Sequence, residues 1–120
     1  MSSLLVHVAC GPDDPSRAAL AFLVARTAAA EGHRVTLFLA SDGARLLRDD
    51  VLESLEGTGT GKLREHYDAL VAAGVRFSVS GMSAKARGMD DGDLAGKPAE
   101  FAMPTVLVRL AFEHDRTLTY

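Results

Sequence analysis

Cysteine is nearly missing from this 120-residue chain: Cys10 is the only one, so no disulfide can form within it. An export signal is missing as well. Met-Ser-Ser leads straight into the short, β-like apolar run 4–9, with no basic stretch ahead of it. Together these features make a reducing cytoplasm the expected compartment. No apolar run approaches the ~20 residues that a membrane span requires, so no membrane partner is expected. Basic residues are few and scattered, 13 Lys and Arg against 16 Asp and Glu, for a net charge of −3. Without a cationic stripe to meet a phosphate backbone, nucleic acid is not an expected partner either.

Metal and nucleotide signatures are also lacking. His7, His33, His66 and His114 have no convergent spacing, and neither C-x-x-C nor H-E-x-x-H occurs, so no metal is expected. The glycine-rich stretch 57–62 fails as a phosphate loop. That pattern needs a glycine where Glu56 stands and Ser or Thr where Leu63 stands. It reads instead as a mobile surface loop. No strand is followed by G-x-G-x-x-G, so a dinucleotide is not expected and no cofactor is assigned.

What is present reads as one α/β domain spanning residues 1–120. With 48% hydrophobic and 24% charged residues, the chain has ordinary globular usage and enough length for one core. Strands are expected at 4–9, 34–40, 75–79 and 116–120, with a brief fifth at 99–102. A helix should start at Pro15, capped by Asp14, and stop at Gly32. It is apolar nearly all round, which predicts a sandwiched position. A second helix, 62–73, carries the stripe Leu63, His66, Tyr67, Leu70 and Val71 and closes at Gly74. A third opens at Pro104 with Val106, Leu107, Leu110 and Ala111 facing inward. The alternation predicts a three-layer, flavodoxin-like domain with a mainly parallel sheet of four to five strands.

Any site in such a fold lies where strands end and helices begin. Cys10 ends the first strand just before a helix N-terminus, a position that favours a thiolate; buried lone cysteines are also common packing residues. Ser80 ends the third strand, ahead of Gly81, Met82, Ser83, Lys85 and Arg87. Backbone N–H groups there, with Arg87, are suited to hold a small anion. Gly11, Asp42 and Gly43 occupy the matching turns after the first two strands and complete the expected ligand set. No histidine or carboxylate is placed to activate Ser80, so a serine hydrolase is disfavoured.

These stretches resemble the DsrE-like family of sulfur-relay proteins. The opening strand with Gly11-Pro12-Asp13-Asp14-Pro15-Ser16-Arg17-Ala18 looks like that family's first strand–helix turn. So does Gly32-His33-Arg34-Val35-Thr36-Leu37-Phe38, followed by Asp42-Gly43-Ala44. The segment from Gly74 through Ser80-Gly81-Met82-Ser83-Ala84-Lys85-Ala86-Arg87-Gly88 is the most specific match, and the ending 114–120 also fits. The resemblance implies a flavodoxin-like sheet, a homo-oligomer such as a trimer or hexamer, and sulfur-relay protein partners. Active carriers of that family bear a persulfide on a cysteine at the end of the third strand, where this chain has Ser80. The favoured reading is therefore a non-catalytic oligomeric module that binds a small anionic ligand or a partner. The alternative is a sulfurtransferase-type carrier using Cys10 as a relocated thiol, and a purely structural oligomer is a third possibility. A sheet order 2-1-3 would place Cys10 and Ser80 on either side of one crevice.

Overall fold

Short runs of Val, Leu and Phe set the strands, and the caps between them set the helices. The computed structural model describes residues 2–120. In chain order the elements are β1 (Ser3–Val8), α1 (Pro15–Ala30), β2 (Arg34–Leu39), a 3-10 segment (Ser41–Leu47) and α2 (Asp49–Ser54). The two-residue strands β3 (Glu56–Gly57) and β4 (Gly61–Lys62) follow, then α3 (Leu63–Ala72), β5 (Arg76–Ser80), α4 (Gly81–Ala86) and α5 (Asp91–Leu94). Last come β6 (Ala99–Ala102), α6 (Pro104–Glu113) and β7 (Arg116–Thr119). Asp14 caps α1 as expected, accepting the Arg17 N–H, and Gly32 and Gly74 follow α1 and α3 with φ of 91° and 79°.

The five long strands make one sheet in the order β6-β5-β2-β1-β7, every neighbouring pair parallel. Alternate positions Val6, Val8, Val35, Leu37, Leu39, Phe77 and Val79 bury one face in the main core, with α1 and α3 residues among them. There the rings of Phe22 and Tyr67 lie 5.9 and 5.4 Å from that of Phe77. On the other face, α6 reaches Thr36 through His114. Helices on both faces and a parallel sheet between them give the flavodoxin-like, three-layer α/β arrangement.

The helices are less enclosed than their composition predicts. α1 buries Ala18, Ala19, Ala21, Phe22 and Ala25 and leaves Leu20 37% exposed. The sheet and α3 cover only one side of it. α6 has no fully buried residue: Val106, Leu107 and Leu110 are half-buried and Ala111 is exposed. It is the outermost layer of its face, with nothing packed over it.

The glycine-rich stretch is also different from the expected mobile loop. It forms the antiparallel β3–β4 hairpin, tied to α1 by two hydrogen bonds and to α3 by a third. The Thr58 N–H donates to Ser16 Oγ, the Thr60 hydroxyl donates to the Ser16 carbonyl, and His66 Nε2 meets the Thr60 carbonyl at 2.7 Å. Phosphate binding is thus replaced by internal hydrogen bonds.

At the other end of the sheet, Ser3 and Asp115 join β1 to the start of β7. The Ser3 N–H and hydroxyl donate to Asp115 Oδ2 at 2.9 and 3.1 Å, and the Asp115 N–H donates back to Ser3 Oγ. These bonds hold the Asp115 carboxyl below the usual carboxylate range. A depressed carboxylate stabilises the fold above its unfolded pKa, and that contribution is lost as the pH falls through the folded value. Melting temperature is therefore expected to fall more steeply between about pH 5 and about pH 3 in wild type than in Asp115→Asn. Equal slopes in a thermal melt series would show that the contact contributes nothing.

Candidate functional site

The C-terminal ends of β1, β2 and β5 gather most of the residues singled out from the sequence. Chain geometry brings them together in an unexpected way. β5 pairs with β2, not with β1, so β2 stands between Cys10 and Ser80. The turn after β2 fills the space that a 2-1-3 order would leave as a shared crevice. A Cβ on Gly11 would overlap the Asp42 carbonyl oxygen, and one on Gly43 would overlap the Val8 carbonyl oxygen. Both glycines are needed for close approach of backbone to backbone within the chain.

A polar lock continues from this turn to α4. Arg87 Nε donates to Asp42 Oδ1 at 3.0 Å, Nη1 to the Ser83 carbonyl at 3.1 Å, and Nη2 to Ser41 Oγ at 3.4 Å. The Ser41 N–H donates to Ser83 Oγ at 2.8 Å. Ser41 itself has φ of 52°, the only positive value among the described non-glycine residues, and the Ser83 contact holds it there. Each guanidinium nitrogen thus contacts one of the chain's own acceptors. Ser41 was missed in the sequence because serine is not a usual left-handed residue, although Ser-Asp-Gly is a turn signal.

Ser80 is the last residue of β5 and the N-cap of α4. Its Oγ accepts the Ser83 N–H at 3.2 Å and is almost fully buried. Gly81 approaches β6 at Phe101 and Ala102. Met82 points outward and is 61% exposed, apart from the Arg87 lock.

Cys10 does not have the setting of an activated thiol. It is 8% exposed, and burial pushes its pKa up, helped by the carboxylates of Asp14 and Asp13 and opposed by Arg17. The helix that follows Cys10 places a capping carboxylate where a thiolate would need positive potential. The strand order reverses at β1, so the topological switch point lies between β1 and β7. A groove of about 550 Å³ opens there, lined by Asp14, Ser16, Arg17, Leu20, Thr119 and Tyr120 among others. Its β7 wall comes from the far end of the sequence, which is why sequence spacing did not reveal it. His7 packs edge-on against Phe38 at 6.1 Å, and partial burial lowers its pKa. No group of three or more His, Cys, Asp or Glu suited to a metal occurs among the described residues.

The five-stranded parallel sheet with helices on both faces places the chain in the flavodoxin-like class of α/β proteins. Within it, the chain belongs to the DsrE/DsrF-like family, whose model matches residues 3–120. Two solved structures share the fold. The ychN protein from E. coli aligns with a TM-score of 0.75 at 16% identity, covering 100% of this chain and 99% of its own. MTH1491 from Methanobacterium thermoautotrophicum, a protein of unknown function, aligns at 0.73 with 23% identity and full coverage of both chains. No curated protein matches the sequence. Among the described residues, no helix is long and apolar enough to cross a membrane.

Proposed function

We propose that this protein is a non-catalytic, oligomeric relative of the sulfur-relay proteins, working in the cytoplasm as a binding module for a small anionic ligand or a protein partner. The observation that carries this reading is the state of Ser80. Sulfur transfer needs a thiolate that attacks the outer sulfur of a donor persulfide. A new S–S bond forms, the donor S–S bond breaks, and the donor sulfur leaves and takes up a proton. The Ser80 hydroxyl stays protonated at neutral pH, and its oxygen already accepts the Ser83 N–H as a helix cap. Engagement of Arg87 by Asp42 further favours a protein partner over a free anion.

The surface of α6 supports assembly. Only Thr105, Arg109 and Glu113 of this helix are polar, yet Val108 is 57% and Phe112 88% exposed. An apolar stripe of this kind on an outer helix is what a subunit interface buries.

Intact mass after exposure to a low excess of a small persulfide donor tests the chemistry. Wild type and Cys10→Ser are expected to gain nothing, while Ser80→Cys gains one reducible sulfur atom. A gain on wild type that disappears in Cys10→Ser would overturn the reading in favour of Cys10 as the carrier thiol.

A further inference from the structure

The outer edge of β7 is open. All four of its residues are exposed, and no strand flanks it on the side away from β1. The Tyr120 N–H donates to the His7 carbonyl and the Ala9 N–H to the Tyr120 carbonyl, both at 2.8 Å. In a parallel ladder alternate residues bond to one neighbour, so 116, 118 and 120 face β1. Thr117 and Thr119 therefore direct their N–H and C=O groups outward. Its only charged residue, Arg116, stands at the start of the strand, and the outward-bonding stretch 117–119 contains no proline, no charge and no bulge.

Resting on the oligomeric reading above, we propose that two copies of this chain join antiparallel along β7, with Leu118 facing Leu118 across a two-fold axis. The sequence Thr-Leu-Thr is self-complementary in that register. Thr117 of each copy falls opposite Thr119 of the other, and the two pairs exchange four backbone hydrogen bonds. Leu118 occupies the close, non-hydrogen-bonded site between them. It is 41% exposed and lies on the α1 face of the sheet, because it pairs in register with Val6. Leu20, an exposed apolar residue of α1, lines the groove bordered by Thr119 and Tyr120.

Charge does not oppose a second copy as the occupant. Arg116 makes no ion pair among the described residues and only donates to the neighbouring Asp115 carbonyl. Centring the pair on Leu118 sets Arg116 opposite Tyr120 of the second copy, on the face where Asp14 lines the groove. Asp14 there is already paired with Arg17 at 3.6 Å, so the groove is close to neutral, and the register keeps the two Arg116 side chains of the pair apart. The result is one ten-stranded sheet running through both copies.

The test uses full chains carrying Cys10→Ala so that added cysteines are unique. Under mild oxidation Leu118→Cys is expected to give a covalent dimer, since directly facing residues at such a site lie within disulfide reach. Thr117→Cys should cross-link about tenfold less, because its own symmetry mate is two residues out of register, roughly 8 Å away. Thr119→Pro removes an outward N–H without touching the ladder to β1, and it should halve the particle mass in sedimentation while the circular dichroism stays native. An uncross-linked Leu118→Cys, in a wild-type protein that sediments as an oligomer, overturns the β7 contact and leaves assembly to α6. A wild-type mass of 12.7 kDa overturns both.

Discussion

Gly43→Ala is expected to lower folding stability by about 3 kcal/mol, read as a shift of the denaturant midpoint at unchanged m-value. The new Cβ would overlap the Val8 carbonyl oxygen, come within 3.0 Å of its carbon, and approach the Cys10 carbonyl oxygen at 3.2 Å. Neither neighbour can yield freely. The Val8 carbonyl accepts the Ala40 N–H at 2.9 Å, which ties the end of β1 to the end of β2. Gly43 is not among the positive-φ glycines, so alanine meets no dihedral penalty there and the cost is packing alone. Gly11→Ala should behave alike, its Cβ meeting the Asp42 carbonyl from the other side. Relief would require the 3-10 turn to back away from β1, which also separates Asp42 from Arg87. A loss below about 1 kcal/mol would mean that the two turns move independently, and the Arg87 lock would then not depend on their contact.

Phe22→Ala is expected to cost about 3–5 kcal/mol, the range for emptying a fully enclosed aromatic site. Phe22 has no exposed surface and projects from α1 onto the sheet beside Phe77. Its neighbours on α1 are alanines, whose short side chains cannot close the space. Because α1 also carries Ser16, which anchors the β3–β4 hairpin, a tilt of the helix would loosen that hairpin too. Amide hydrogen exchange should then rise at Thr58 as well as along α1. A loss under about 1.5 kcal/mol, with exchange unchanged at Thr58, would show that the core collapses onto the vacated site.

Much of the local structure was legible in the residues themselves. Asp14-Pro15 starts α1, Gly32 and Gly74 stop helices, and period-two or continuous apolar runs mark all five strands of the sheet, the brief β6 included. These signals are local, so they survive without knowledge of the fold. Ser80 was likewise placed at a strand end before a helix, and its capping role follows from a serine three residues ahead of the N–H it accepts. Strand order was not legible. A buried run shows that a strand has two covered faces, but not which strand lies beside it. β5, which a 2-1-3 order would set beside β1, is a neighbour of β2 for that reason.

The same limit explains the site. Asp42 and Arg87 were both named, but they are 45 positions apart and only the β2–β5 pairing makes them partners. The groove between α1 and β7 likewise joins the two ends of the sequence. For α6, an apolar stripe means the same thing in sequence whether the cover is its own sheet or another copy. What the residues alone determined is the family, the parallel α/β framework and the absence of a thiol at position 80, because each depends on residue identity and short-range pattern. Tertiary structure decided the rest: a self-filled crevice, a Cys10 buried beside two carboxylates, and an open β7 edge. Those depend on distances between segments far apart in the chain, which only the folded arrangement of strands sets.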